Sequence, residues 1–248
     1  MADSAVVTAT ELIVVAIAIF LASFVQILAG FGFALLAMPI MTLAIPVEKA
    51  VIVSTLLGIL TSTWQFAHLR READMPLVRR LVIGAFVGMP LGIWVLVAVS
   101  DRVLRIALGV SVLVATGLLV RRVSLQHLGH GFDYVAGFLS GVLNTSLSTN
   151  GPPLVFDLQA RALPPERFRA TLVGVFAFSN IVGIALFLSA GKVTGEGLTA
   201  AAAALPAWAI GQVSAWPLRR HLHGERFRRL VLGLLFLAGL SAIVAAVR

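Results

Sequence analysis

The chain has 248 residues, 59% hydrophobic and only 12% charged, with a net charge of +8 and a mean hydropathy of +1.01. Ordinary soluble domains are close to one-quarter charged, so a chain this apolar cannot cover its surface in water; soluble enzymes, disordered chains and coiled coils are excluded. There is no cysteine, which removes disulfides and thiolate metal sites, and the opening Met-Ala-Asp-Ser lacks the basic region of a cleaved signal peptide.

The 30 charged residues leave uncharged runs at 12–47, 50–69, 81–100, 106–120, 134–156, 170–191, 197–218 and 230–247. About 20 apolar residues at 1.5 Å each cross a hydrocarbon core of ~30 Å. Six runs fit one crossing, the shortest by extending back to Val103 and letting Arg105 snorkel. Run 12–47 would be ~54 Å as one helix, so it must turn back, and Gly30-Phe31-Gly32 is the natural break. Tyr134 to Ala160 has the same anatomy, with its break at Asn150-Gly151-Pro152-Pro153. The second limbs, Phe33–Ile45 and Leu154–Leu163, are too short to cross fully and suit half-helices or re-entrant segments. The fold class expected is all-α integral membrane, about eight hydrophobic spans in up to ten helical pieces.

Arginines fix an expected orientation. If loop 69–80 is cytoplasmic, alternating crossings put loops 121–132, 159–169 and 218–229 on its side, with 14 of the 19 basic residues. The other side holds Lys49, Arg102, Arg105, Lys192 and Arg248. The positive-inside rule then places both termini outside. It also explains the net charge without a nucleic-acid partner.

The halves repeat. Pro46-Val-Glu48-Lys49 returns as Pro164-Pro-Glu166-Arg167, and Arg102-x-x-Arg105-x-x-x-Gly109 as Arg226-x-x-Arg229-x-x-x-Gly233. In the orientation above, the Glu48 loop lies outside and the Glu166 loop inside, so the repeats, 1–125 and 126–248 of a single transporter domain, have inverted topology. Inverted repeats with interrupted helices at matching positions are a signature of secondary transporters, whose substrate site lies where the breaks meet. Gly84-x-x-x-Gly88-x-x-x-Gly92 and Gly211-x-x-x-Ala215 suit close helix packing in lipid.

These marks carry a resemblance. The opening pair broken at Gly30-Phe31-Gly32 and followed by Pro39, the step Pro46-x-Glu48-x-Ala50, Gly137-Phe-Leu-Ser-Gly141 followed by Pro152-Pro153, and the short Arg226-led last helix are together similar to the sulfite exporter TauE/SafE family of membrane permeases. The resemblance covers nearly the whole chain and implies export of small anions such as sulfite, sulfonates, sulfoacetate-like acids or short carboxylates. Where many relatives carry a glycine-rich run, this chain has Asn144-Thr145-Ser146-Leu147-Ser148-Thr149-Asn150.

Six polar side chains in those seven residues are costly in a membrane unless they pair or line a cavity, although hydroxyls also bond back to helix carbonyls. The expected substrate-binding set is Gln26, Gly30, Phe31, Gly32 and Phe33 at the first break and Asn144, Ser146, Ser148, Thr149, Asn150 and Gly151 at the second. Gln65 and Asn180 join it from the helices that follow. Free amides and the dipole at each half-helix N-terminus would hold an anion without a buried cation. Asp157 is the candidate coupling residue, weighed against simple pairing with Arg161 four residues on.

An enzyme is not expected, because no HExxH, paired-aspartate motif or cysteine occurs and His127, His130, His221 and His223 fall in loops. No cofactor or metal is called for. An anion channel, a proton-linked importer of the same substrates and a structural subunit are the other readings. The partners are the anion and the lipid bilayer, with oligomeric state open and a homodimer among the options. Arginine outnumbers lysine 17 to 2, which points to a GC-rich bacterial source and hence the inner membrane.

Overall fold

The computed structural model describes residues 8–29, 31–121, 129–218 and 225–247. Gly30, Arg122, His127, Arg219, Arg220, His221, His223 and Arg248 lie outside the described residues. Among the described residues ten helices follow in order: α1 Ala9–Ala29, α2 Phe33–Met41, α3 Val47–Leu69, α4 Met75–Ala98, α5 Asp101–Arg121, α6 His130–Leu147, α7 Gly151–Ala160, α8 Pro165–Ser189, α9 Gly195–Leu218 and α10 Glu225–Val247. No strand occurs among the described residues.

Local chemistry sets the boundaries. Asp74 caps α4 by accepting the Leu77 N–H at 3.1 Å, and Pro76 and Pro165 sit in first turns, where a missing N–H costs nothing. Gly32 precedes α2 at φ 98°, a left-handed conformation that glycine adopts without a Cβ penalty. Ser148 closes α6 at φ 56°. The second break therefore falls at Ser148–Asn150, two residues earlier than the prolines suggested, and Pro152 and Pro153 are inside the first turn of α7. The first short limb ends at Met41, four residues before the expected Ile45, and the second keeps its expected 10 residues but lies three earlier, Gly151–Ala160.

Among the described residues seven helices are long and apolar enough to cross a membrane: α1, α3, α4, α5, α8, α9 and α10. The six single-crossing runs are all among them. The sequence suggested about eight spans; α6 falls short because its 18 residues include His130 and Asp133 at one end and Asn144, Thr145 and Ser146 at the other. Helices α2 and α7 are enclosed by protein rather than exposed, with Phe33, Leu35, Leu36, Met38 and Met41 buried on the first and Leu154, Val155, Asp157 and Leu158 on the second. Interrupted backbone at membrane depth is tolerated where protein surrounds it.

Ion pairs sort the loops into two ends. At one end lie Lys49–Glu196 at 2.7 Å, Lys192–Glu48 at 3.2 Å and Arg105–Asp101 at 2.5 Å. Arg105 does not snorkel: it also donates to the Ile45 carbonyl, while Asp101 accepts the Val47 N–H at 2.7 Å. The other, arginine-rich end holds Arg167–Asp74 at 2.8 Å, Arg80–Asp133 at 2.5 Å, and Arg161 bridging Asp133 and Asp157. Each pair stays within its own end.

The most extensive helix packings keep their order on exchange of α1–α5 with α6–α10. Helix α1 packs on α9 and α6 on α4; α3 packs on α8 and α5 on α10; short α2 meets α10 as short α7 meets α5. The α4–α6 contact is backbone on backbone. A Cβ on Gly84, Gly88 or Gly92 would overlap the carbonyls of Tyr134, Phe138 and Val142, and one on Gly137 or Gly141 those of Leu81 and Ala85. Small residues four apart permit this approach, and Gly211 on α9 does the same against the Phe20 carbonyl of α1.

Candidate functional site

The two breaks meet at a cavity of about 40 Å³, room for a few waters and so for one small anion. From the first half come Gln26 of α1, Phe31 and Gly32 of the link, Phe33 of α2 and Ser54, Gly58 and Ser62 of α3. From the second come Ser148, Thr149 and Asn150, Gly151 of α7 and Phe176 and Asn180 of α8. The lining contains no charged residue. The two half-helices touch there: a Cβ on Gly151 would stand 3.6 Å from Leu35 Cδ1.

The polar wall is partly committed to protein. Ser148 Oγ donates to Ser54 Oγ at 3.0 Å, and the hydroxyls of Thr149 and Ser111 share a hydrogen bond of 2.9 Å. Ser62 donates to the Gly58 carbonyl at 2.6 Å. Asn180 accepts from Asn144 Nδ2 at 3.2 Å and donates from its own Nδ2 to Ser62 at 3.5 Å. Two groups are uncommitted. Asn150 Nδ2 and Gln26 Oε1 make no hydrogen bond, although the residues are only 6% and 2% exposed. A buried amide left this way costs about 1–3 kcal/mol; of the two atoms only Asn150 Nδ2 is a donor, and an occupant that accepts from it would recover that cost.

Backbone donors are unequal at the two breaks. The first turn of α2 offers the N–H groups of Phe33, Ala34 and Leu35, since the ladder begins with Leu36 N–H on the Gly32 carbonyl at 3.1 Å. The first turn of α7 offers Gly151 alone, because Pro152 and Pro153 have no N–H. The expectation of matched amide cradles needs this correction. At the second break, side chains must supply what the backbone lacks.

The structure thus brings Gln26, Phe31, Gly32, Phe33, Ser148, Thr149, Asn150, Gly151 and Asn180 to one cavity. Asn144, 1% exposed, stands behind the wall and holds Asn180. Ser146 donates back to the Val142 carbonyl at 2.6 Å. Gln65 opens into a separate pocket nearer the arginine-rich end. Asp157 is fully buried away from the cavity, 3.4 Å from Arg161. Ser54, Gly58 and Phe176 were not singled out in the sequence. The signal available for the first two was the spacing of Ser54, Gly58 and Ser62, four residues apart on one helix face.

Ten helices among the described residues, seven of membrane-crossing length, around an uncharged cavity where two broken helices meet define a multi-pass membrane protein of the transporter class. The chain belongs to the sulfite exporter TauE/SafE family, whose profile matches residues 15–242. It is similar to a protein of Cupriavidus necator named "Probable sulfite/organosulfonate exporter TauE", 24% identical over 233 residues, which cover 91% of each chain. Both names are those of transporters rather than enzymes. No solved structure matches the chain.

Proposed function

We propose that the protein is a secondary transporter that exports a small organic or sulfur-containing anion, of the sulfite, sulfonate or short-carboxylate class, through the cavity between the breaks. The observation that carries this is a buried pocket with a free amide donor on Asn150, unpaired backbone N–H groups in the first turn of α2 and no charged side chain. A small anion stripped of water needs several hydrogen bonds, and neutral donors hold it weakly enough to let it go. The printed name of the Cupriavidus relative supports the sulfite or sulfonate class.

The two halves act as inverted repeats in the bacterial inner membrane, with the arginine-rich end cytoplasmic and both termini outside. Supporting this are the matching order of the most extensive helix packings in the two halves and the segregation of ion pairs to two ends. Export needs no coupling ion, since an inside-negative potential already favours anion efflux by ~2.3 kcal/mol per charge per 100 mV. Asp157 is engaged with Arg161 beside Asp133, a structural pairing rather than a proton relay.

Proteoliposomes containing purified protein test the reading. Saturable efflux of sulfite or methanesulfonate, with counterflow of labelled substrate, is expected of a carrier. Flux that rises linearly without counterflow would make it a channel, and no flux would remove the anion class.

A further inference from the structure

A groove on the outside of the helix bundle is separate from the cavity just described. It opens between the first turns of α4, the start of α6 and the middle of α8, and it measures about 710 Å³ against about 40 Å³ for the midplane cavity. Among the described residues, Met75, Val82, Tyr134 and Phe178 line it together with Arg79 and Arg80. Met75, Tyr134 and Phe178 are 44%, 42% and 38% exposed. The apolar wall therefore faces the surroundings of the protein and not its core.

The register of α4 and α8 gives the groove its depth. The Asp74 N–H donates to Thr171 Oγ1 at 3.0 Å, which aligns the two helices as both leave the arginine-rich end. Val82 lies eight residues beyond Asp74 and Phe178 seven beyond Thr171, so both stand about 10–12 Å deeper. Two arginines lie between the mouth and that depth. Arg80 is committed to buried Asp133. Arg79 is exposed and forms no ion pair or hydrogen bond among the described residues. Its long stem lets the guanidinium reach back towards the mouth.

A cation above an apolar wall is complementary to an anionic amphiphile. A free sulfonate or phosphate would fill a small part of this volume and leave the wall uncovered. A lipid meets both parts, with its phosphate on the guanidinium and a chain on the wall. Basic pockets between membrane helices take anionic headgroups in this way, and a tyrosine at headgroup depth is the usual companion.

We propose that the groove holds an anionic phospholipid, its phosphate on Arg79 and one acyl chain against Met75, Val82, Tyr134 and Phe178. The lipid ties α4 to α8, and Asn180, two residues past Phe178, lines the midplane cavity. The proposal depends on the membrane-spanning fold and not on which anion is carried.

Native mass spectrometry tests it on the full chain released from micelles with equal phosphatidylglycerol and phosphatidylcholine. The parent should retain phosphatidylglycerol at least five-fold over phosphatidylcholine. Arg79→Gln should bring that preference within two-fold of parity. Arg79→Lys, which keeps the charge, and Arg71→Gln, on the exposed link after α3, should keep it. Met75→Trp, which fills the mouth, should expel the lipid, and it keeps the test decisive if Arg79→Gln does not fold. Equal retention of the two lipids by the parent overturns the proposal, as does equal loss in Arg71→Gln or full retention in folded Met75→Trp. Displacement by inorganic phosphate at the lipid's own concentration would assign Arg79 to a small anion and overturn it. So would a doubled mass that Arg79→Gln halves, which would make the groove an interface between two copies of the chain.

Discussion

Ser62 and Asn180 stand 118 positions apart and meet across the centre of the molecule, the asparagine Nδ2 donating to the serine hydroxyl at 3.5 Å. The same 118-residue interval separates Pro46 from Pro164, the prolines that precede α3 and α8. The offset that separates the two proline N-caps thus also separates two residues that meet at the cavity wall. Asn144 holds the other side of the Asn180 amide, so the orientation of Asn180 is fixed from both halves.

That chain of bonds predicts coupled effects. Asn144→Ala should release Asn180 and weaken anion binding several-fold, from about 0.5–1.5 kcal/mol per hydrogen bond lost. Adding Ser62→Ala should then cost less than it does alone, because the amide is already misplaced. Isothermal titration of the single and double variants checks this; strictly additive losses would mean that the three residues act independently.

Gly88 and Gly141 seat α4 and α6 against each other's carbonyls, Phe138 and Ala85 respectively. Gly141→Leu should push the helices apart and destabilise by several kcal/mol, beyond the ~1–3 typical of overpacking because the obstacle is backbone. Gly117, where a Cβ meets nothing within 4 Å, is the control, and Gly117→Ala should leave the melting temperature in detergent unchanged or slightly raised.

Asp133 is fully buried between Arg80 and Arg161. Asp133→Asn should cost about 3–5 kcal/mol, since it leaves two mostly buried guanidinium groups without their shared carboxylate. Breaking the more exposed Arg167–Asp74 pair with Arg167→Ala should cost about 0–1 kcal/mol. Asp157→Asn should leave export and its pH dependence intact. Selective loss of proton-dependent flux with counterflow preserved would show a coupled carrier instead. Thermal melts and flux assays separate the three.

Much of this architecture was legible from charge and length. Run 12–47 is too long for one crossing, which forces the break that Gly32 provides, and the basic residues assigned to opposite sides form their ion pairs at opposite ends of the molecule. Asp133 was not legible. It borders the uncharged run 134–156 and looks like a loop residue until α4 and α7 bring Arg80 and Arg161 to it. Ser54 and Gly58 were hidden because small residues on an apolar helix equally suit close packing. The unequal amides of the two breaks depend on where α7 starts: beginning at Gly151, it spends its first turn on two residues with no N–H. The separation of Gln65 from the cavity depends on a tertiary distance that periodicity does not carry.

Sidedness can be read directly on a chain with no cysteine of its own. Glu72→Cys, in the exposed link between α3 and α4, should resist a membrane-impermeant maleimide in intact cells and react after permeabilisation. Lys192→Cys should react from outside. The reverse pattern would turn the molecule over.

The central claim is that the anion sits between the two breaks, and affinity for methanesulfonate in purified variants tests it most directly. Asn150→Ala removes the uncommitted amide donor of the cavity and Gln26→Leu the side-chain amide from the other break, and each should weaken binding several-fold with the melting temperature held. Arg71→Ala, on the exposed link after α3, should leave affinity within two-fold. Equal losses for Arg71→Ala and the two cavity variants, or unchanged affinity in both Asn150→Ala and Gln26→Leu, would place the anion elsewhere.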